Sequence, residues 1–118
     1  MINFENIRGV PNFICEEYLL KKSKYCLLIP VINEGLRIHN QLKRCKEANV
    51  NELIDIVICD GGSNDGSMDK DVLNNLGVNT LLTKNGPGKQ GAQLRMGFWW
   101  ALNRGYSGVI TIDGNDKD

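Results

Sequence analysis

The chain has 118 residues, 14 Lys+Arg against 14 Asp+Glu, and 42% hydrophobic residues. That length gives one domain or part of one, and a neutral chain this rich in Ile, Leu and Val buries enough to fold, which excludes disorder. Without a basic excess there is no bulk-charge attraction to nucleic acid.

In chain order, residues 1–24 read as a lead-in, with a short amphipathic helix around Asn12 to Lys22. Tyr25 to Ile32 is a continuous apolar run, the pattern of a strand buried on both faces. Asn33 is the expected N-cap of the next helix, with Glu34 in its first turn and Ile38, Leu42 and Cys45 on one face. Leu53 to Cys59 is a second buried strand, followed by the turn-rich loop Asp60 to Ser67. Met68, Val72, Leu73 and Leu76 predict a short helix closed by Gly77. Val78 to Thr83 is a third strand, and Asn85 to Lys89 a second glycine loop. Gly91 to Arg104 predicts a long helix with an apolar face of Ala92, Leu94, Met96, Phe98, Trp99, Ala101 and Leu102. Gly108 to Ile112 is a fourth strand.

Buried strands alternating with helices predict a Rossmann-like parallel sheet with helices on both faces. Right-handed crossovers favour the strand order 3-2-1-4. Ligands of such sheets bind beyond the carboxyl ends of the strands. That edge collects the segment after Pro30, the loop from Asp60, the loop from Gly86 and the tail from Asp113.

Each of these edges carries chemistry. Asp60 can accept a hydrogen bond from a ring N–H or a ribose hydroxyl, and Gly61 and Gly62 let a ligand approach the backbone. Asp65 either caps the next helix or ties the loop together as an Asx turn. No register of this loop matches a calcium-binding loop. Gly86, Gly88 and Gly91 spell G-x-G-x-x-G after a strand, with Asp113 about 20 residues on, which resembles a dinucleotide fingerprint. Lys89, Gln90 and Arg95 point instead to a helix start that meets phosphate oxygens. Asp113, Asn115, Asp116 and Asp118 supply oxygen ligands suited to Mg²⁺ or Mn²⁺.

The remaining conspicuous residues have plainer readings. His39, the single histidine, lies mid-helix and is expected at the surface or satisfied by a neighbour. Trp99 and Trp100 are expected to pack. The cysteines at 15, 26, 45 and 59 hold no C-x-x-C pair, so neither a zinc ribbon nor a dithiol redox motif is present. Cys26 and Cys59 are expected as buried thiols of a reduced, cytoplasmic protein. Met1 to Val10 does not resemble a secretory signal, and the run from Cys26 to Ile32 is too short to span a bilayer. Membrane association is expected only through a partner or an absent segment.

The motifs together resemble the N-terminal half of a family 2 glycosyltransferase of the GT-A fold. Ile29-Pro30-Val31-Ile32-Asn33-Glu34 resembles P-x-x-N-E, and Asp60-Gly61-Gly62-Ser63-Asn64-Asp65-Gly66-Ser67 resembles the D-D/G-G-S-x-D-G-T loop. Gly88 to Gly97 resembles the G-K/R-G-A-x-x-x-x-G helix start, and Val109 to Asn115 the strand ending in D-x-D. The resemblance spans residues 25–118 and is nearest to the branch of polyprenyl-phosphate hexosyltransferases.

The resemblance implies inverting, metal-assisted transfer of a hexose from a UDP- or GDP-linked donor to an acceptor such as polyprenyl phosphate. Pro30 and Glu34 would flank the nucleotide, Asp60 would contact the base, and Lys89 would face the diphosphate. Asn33, Gly62, Ser63, Asp65 and Arg95 complete the implied donor set. Asp113 would hold Mg²⁺ or Mn²⁺, with Asn115 and Asp116 as further ligands. Three departures stand out: Gly61 replaces a second Asp, Asn115 replaces the second Asp of D-x-D, and the family domain is about twice as long. The chain is therefore expected to be a fragment without the acceptor site and general base, inactive alone. Its strand at Gly108–Ile112 is expected as a bare sheet edge that pairs copies of the chain. The competing readings are a non-catalytic nucleotide-binding module, an NAD(P)-dependent oxidoreductase and a receiver-like signalling domain.

Overall fold

Two fully buried strands organise the molecule, and the computed structural model describes residues 1–114 around them. Strand β3 (Tyr25–Val31) is buried at every position after Tyr25, and β4 (Asp55–Asp60) at every position. They pair in parallel from Cys26–Asp55 to Val31–Asp60. Strand β5 (Thr80–Lys84) joins β4, and β6 (Gly108–Thr111) joins β3, both parallel. Helices α1 (Leu36–Glu47), α2 (Val50–Leu53), α3 (Lys70–Asn75) and α4 (Gln90–Arg104) connect them.

The sheet is larger and more mixed than an all-parallel 3-2-1-4 arrangement. Residues 1–24 hold no helix: Ile2–Phe4 is strand β1 and Phe13–Glu17 is strand β2. Both are antiparallel additions, giving the order β1-β2-β5-β4-β3-β6. The reason is the period. Phe13 and Cys15 are buried while Ile14 and Glu16 are only partly so, an alternation of two that fits a strand. Phe13 stacks on Phe4 at 4.9 Å, and both meet the edge of Trp99. Arg104 Nε and Nη2 hold the Glu17 carboxylate at 2.8 and 3.2 Å, tying β2 to the end of α4.

Side chains of the central strands point alternately to two cores. Cys26, Leu28, Val57, Cys59 and Leu82 pack with Met96 and Trp100 of α4. Leu27, Ile29, Ile56, Ile58 and Leu81 pack with Ile38 and Leu42 of α1 and Leu73 of α3. Cys26 and Cys59 are thus buried free thiols, and both tryptophans pack.

Helix α4 turns a different face to the sheet from the expected one. It buries Ala92, Gln93, Met96, Gly97, Trp100 and Ala101, while Phe98 and Leu102 are 44% and 74% exposed. The helix settles on its small residues. A Cβ at Gly97 would stand 2.7 Å from Cys59 Sγ and 3.0 Å from Leu28 Cδ1, so close approach selects that face.

The buried thiols and phenols make the fold sensitive to alkali. Burial raises Cys15 from 9.0 to about 11 and Cys26 from 9.0 to about 12, and raises Tyr18 from 10.0 to about 12. Each folded-state value lies above the unfolded one, so the neutral form is favoured by folding. Its contribution is complete below pH 9 and is lost as pH rises from about 9 to 12. The urea midpoint, measured from pH 7 to 11, is expected to fall from about pH 9 upward. A flat profile to pH 11 would contradict the burial of these groups.

Candidate functional site

Four loops emerge at the carboxyl ends of the parallel strands. After β3 the chain turns through α1 towards β4, whereas β6 arrives on the other side of β3. Neighbouring strands whose connections diverge leave a crevice at their carboxyl ends. A cleft of about 410 Å³ lies there, bordered by Pro30, Glu34, Lys89, Gln90, Gln93 and Asp113.

The first wall is the end of β3. Pro30 is buried within the strand, and Glu34 follows it. Glu34 Oε2 has no hydrogen-bond donor among the described residues but sits 3.2 Å from Arg37 Nη2, an ion pair between the loop after β3 and the start of α1. Asn33 is not the helix N-cap: α1 starts after Gly35, whose φ is 56°. Asn33 itself is left-handed, with φ 47°. Its N–H donates to Ser63 Oγ at 2.9 Å, and its Oδ1 accepts from Asn64 N–H at 2.8 Å. Its role is to weld the loop after β3 to the loop after β4.

That second loop is largely self-satisfied. Asp60 is 2% exposed, and its carboxylate accepts from Ser63 N–H at 3.0 Å and Ser63 Oγ at 2.6 Å. Asp65 follows the Asx-turn alternative and not the capping one. Its Oδ1 accepts from the Ser67 N–H and hydroxyl, and its Oδ2 from Gly35 N–H. These donors, led by the Ser67 hydroxyl, hold its carboxyl below the usual range. The α3 cap is Asp69, whose side chain accepts from Asp71 and Val72 N–H. His39 Nε2 meets Ser67 O at 2.7 Å, so the histidine is satisfied by the same loop. Asn33, Asp60, Gly62, Ser63 and Asp65 therefore stand beside the cleft as its framework, outside its lining.

The second wall is the start of α4. Lys89 holds the N-cap position without a side-chain cap, and the first turn carries no acid. The free N–H groups there present positive potential. Lys89 borders the cleft, but Arg95 does not. Arg95 Nε donates to Gly9 O at 3.0 Å, and the residue borders a separate hollow with Val10, Pro11 and Pro87.

The third wall is Asp113 and Gly114, just beyond β6. Gln90 Nε2 donates to Asp113 Oδ1 at 3.3 Å, closing one side of the cleft. Among the described residues no group of three or more His, Cys, Asp or Glu could hold a metal ion. Asp113 is one hard oxygen ligand, and a cation on it would need further oxygens from a ligand or from outside the described residues. Asn115 and Asp116 lie outside the described residues. No helix among the described residues is long and apolar enough to cross a membrane.

Gln90, expected at the phosphate end of the helix, and Gln93 both line the cleft, and Gln93 does not stand out in the sequence as a ligand-binding residue. The available signal for Gln93 is its place beside Ala92 and one turn before Met96, a polar residue on a buried stripe. Comparison with family models, with curated proteins and with solved structures finds no match.

Proposed function

We infer that the chain is the donor-binding half of a glycosyltransferase of family 2 type, with a GT-A-like sheet. The donor it takes is a hexose linked to UDP or GDP. The observation that carries this reading is the convergence of Glu34, Lys89 and Asp113 on one cleft at the carboxyl ends of β3 and β6.

The walls divide the work by charge. The uncapped start of α4 and the Lys89 ammonium suit the oxygens of a diphosphate. Asp113, facing them, suits a hard divalent cation shared with those same oxygens. Mg²⁺ or Mn²⁺ there would offset the charge that builds on a departing nucleoside diphosphate. Gly88, at φ 123°, supports the tight entry into α4, because a side chain there would meet the Ala92 Cβ at 2.6 Å. Glu34, steadied by Arg37, is placed for the hydroxyls of the nucleoside. Hexose transfer to an acceptor belongs to the whole enzyme in this reading.

Calorimetric titration of UDP, GDP and NAD⁺ tests it, with Mn²⁺ and then with EDTA. A nucleoside diphosphate is expected to bind in a metal-dependent way. Asp113→Ala is expected to weaken that binding by at least about tenfold and to abolish its response to EDTA. Binding of NAD⁺ alone would replace this reading with a dinucleotide site. A folded chain that binds none of the three would remove it.

A further inference from the structure

Gln93 is a polar side chain held inside an apolar helix face. It is 4% exposed and sits between Ala92 and Met96 on the buried side of α4. Its Nε2 donates to Val31 O at 2.8 Å and to Cys59 O at 2.9 Å. Both partners are carbonyls, which only accept, so the amide has one workable orientation. The nitrogen faces the strand ends, and Oε1 lies over residue 61.

Those two carbonyls belong to the last turns of different strands. Val31 ends β3 and also accepts from Gly61 N–H at 2.9 Å, while Cys59 is the penultimate residue of β4. One amide therefore spans the carboxyl ends of β3 and β4, where the walls of the cleft begin. It also fills the space above residue 61. A Cβ at Gly61 would lie 3.0 Å from Gln93 Cδ and 3.1 Å from Oε1. Gln93 itself borders the cleft.

We propose that Gln93 is the positioning residue of the cleft: it clamps the ends of β3 and β4, restricts residue 61 to glycine, and offers Oε1 to a ligand N–H or hydroxyl. The ligand class is a nucleoside part bearing such a donor, a ring N–H or a ribose hydroxyl. That last element rests on the reading of the cleft as a nucleoside diphosphate site. The clamp and the restriction of residue 61 do not.

The experiment has two arms. Thermal unfolding is measured without ligand for the wild type, Gly61→Ala, Gln93→Ala and the double variant. Gly61→Ala is expected to lower the midpoint by about 4 °C in the wild-type background and to have no cost in the Gln93→Ala background. Additive effects would overturn the restriction of residue 61, and a Gln93→Ala midpoint equal to that of the wild type would overturn the clamp.

In the second arm, Gln93→Met keeps the side-chain length and removes the amide. With Mn²⁺ present, its affinity for UDP or GDP is expected to fall about tenfold, and its affinity for inorganic pyrophosphate much less. Pyrophosphate lacks the nucleoside donors, so an equal loss on both probes would overturn the ligand contact. A wild type that binds neither nucleotide would remove that contact together with the site reading. The unfolding cycle would still decide the clamp.

Discussion

Asp55→Ala is expected to lower stability by about 3 kcal/mol, seen as a fall of about 10 °C in the thermal midpoint. Asp55 is fully buried at the start of β4, at the opposite end of the sheet from the cleft. Its Oδ2 accepts from Tyr106 Oη at 2.7 Å, from Lys22 N–H at 3.0 Å and from Ser23 N–H at 3.3 Å. One carboxylate thus holds the segment entering β3 and the segment entering β6. Hydrogen bonds to a charged group contribute about 1.5–3 kcal/mol each, and donors left without an acceptor add a desolvation cost. Oδ1 has no partner among the described residues, so relief of its burial returns part of that sum. Tyr106→Phe removes a single donor and is expected to cost about 1 kcal/mol. Its hydroxyl is held neutral well above the usual phenol range, first by burial and then by its bond to Asp55. Urea unfolding of both variants makes the comparison. If Asp55→Ala costs no more than Tyr106→Phe, the backbone donors find other partners and the carboxylate is not a hub. Nucleotide binding by the folded fraction is expected to be unchanged, because the cleft lies at the far end of the strands.

The parts of this fold that were legible in the sequence are those fixed by local pattern. Tyr25–Val31 and, within β4, Ile56–Cys59 are continuous apolar runs, and a strand covered on both faces accepts such a run. Pro30, Glu34, Lys89 and Asp113 were legible as neighbours at one sheet edge because they lie near or just beyond the carboxyl ends of β3, β5 and β6. What the sequence hid depends on contacts between distant segments. Phe13 to Glu17 is only five residues long, and the apolar Tyr18, Leu19 and Leu20 beside it mimic a helix face. Pairing with β5, far along the chain, decides in favour of a strand. The buried face of α4 was hidden for a related reason. Hydrophobicity favours Phe98 and Leu102, but steric access favours Gly97, and the second effect decides. That choice of face brings Gln93 into the cleft. Arg95, two residues on and about 200° around the helix, is sent towards Gly9 instead.

Gly114→Ala is expected to separate binding from folding. An added Cβ would stand 2.5 Å from Val31 Cγ1, 3.0 Å from Pro30 O and 3.3 Å from Ile29 Cγ2. The constraint is space, since Gly114 is not among the residues with positive φ. Pro30 O belongs to the backbone of a central strand paired on both sides, so it cannot yield without disturbing β4 and β6. The segment carrying Asp113 must yield instead, and the carboxylate leaves its place beside Gln90. Stability is expected to fall by about 1 kcal/mol, because the shift stays beyond the end of β6. Metal-dependent affinity for a nucleoside diphosphate is expected to fall at least about tenfold, like that of Asp113→Ala. Gly97→Ala supplies the opposite signature. There the crowded atoms are the fully buried Cys59 Sγ and Leu28 Cδ1, and overpacking a core costs about 1–3 kcal/mol, less the helix preference of Ala over Gly. Its folded fraction is expected to bind nucleotide as the wild type does. Thermal unfolding and calorimetry on the two variants decide the matter. Wild-type affinity in Gly114→Ala would mean that the close passage over Pro30 does not set the position of Asp113.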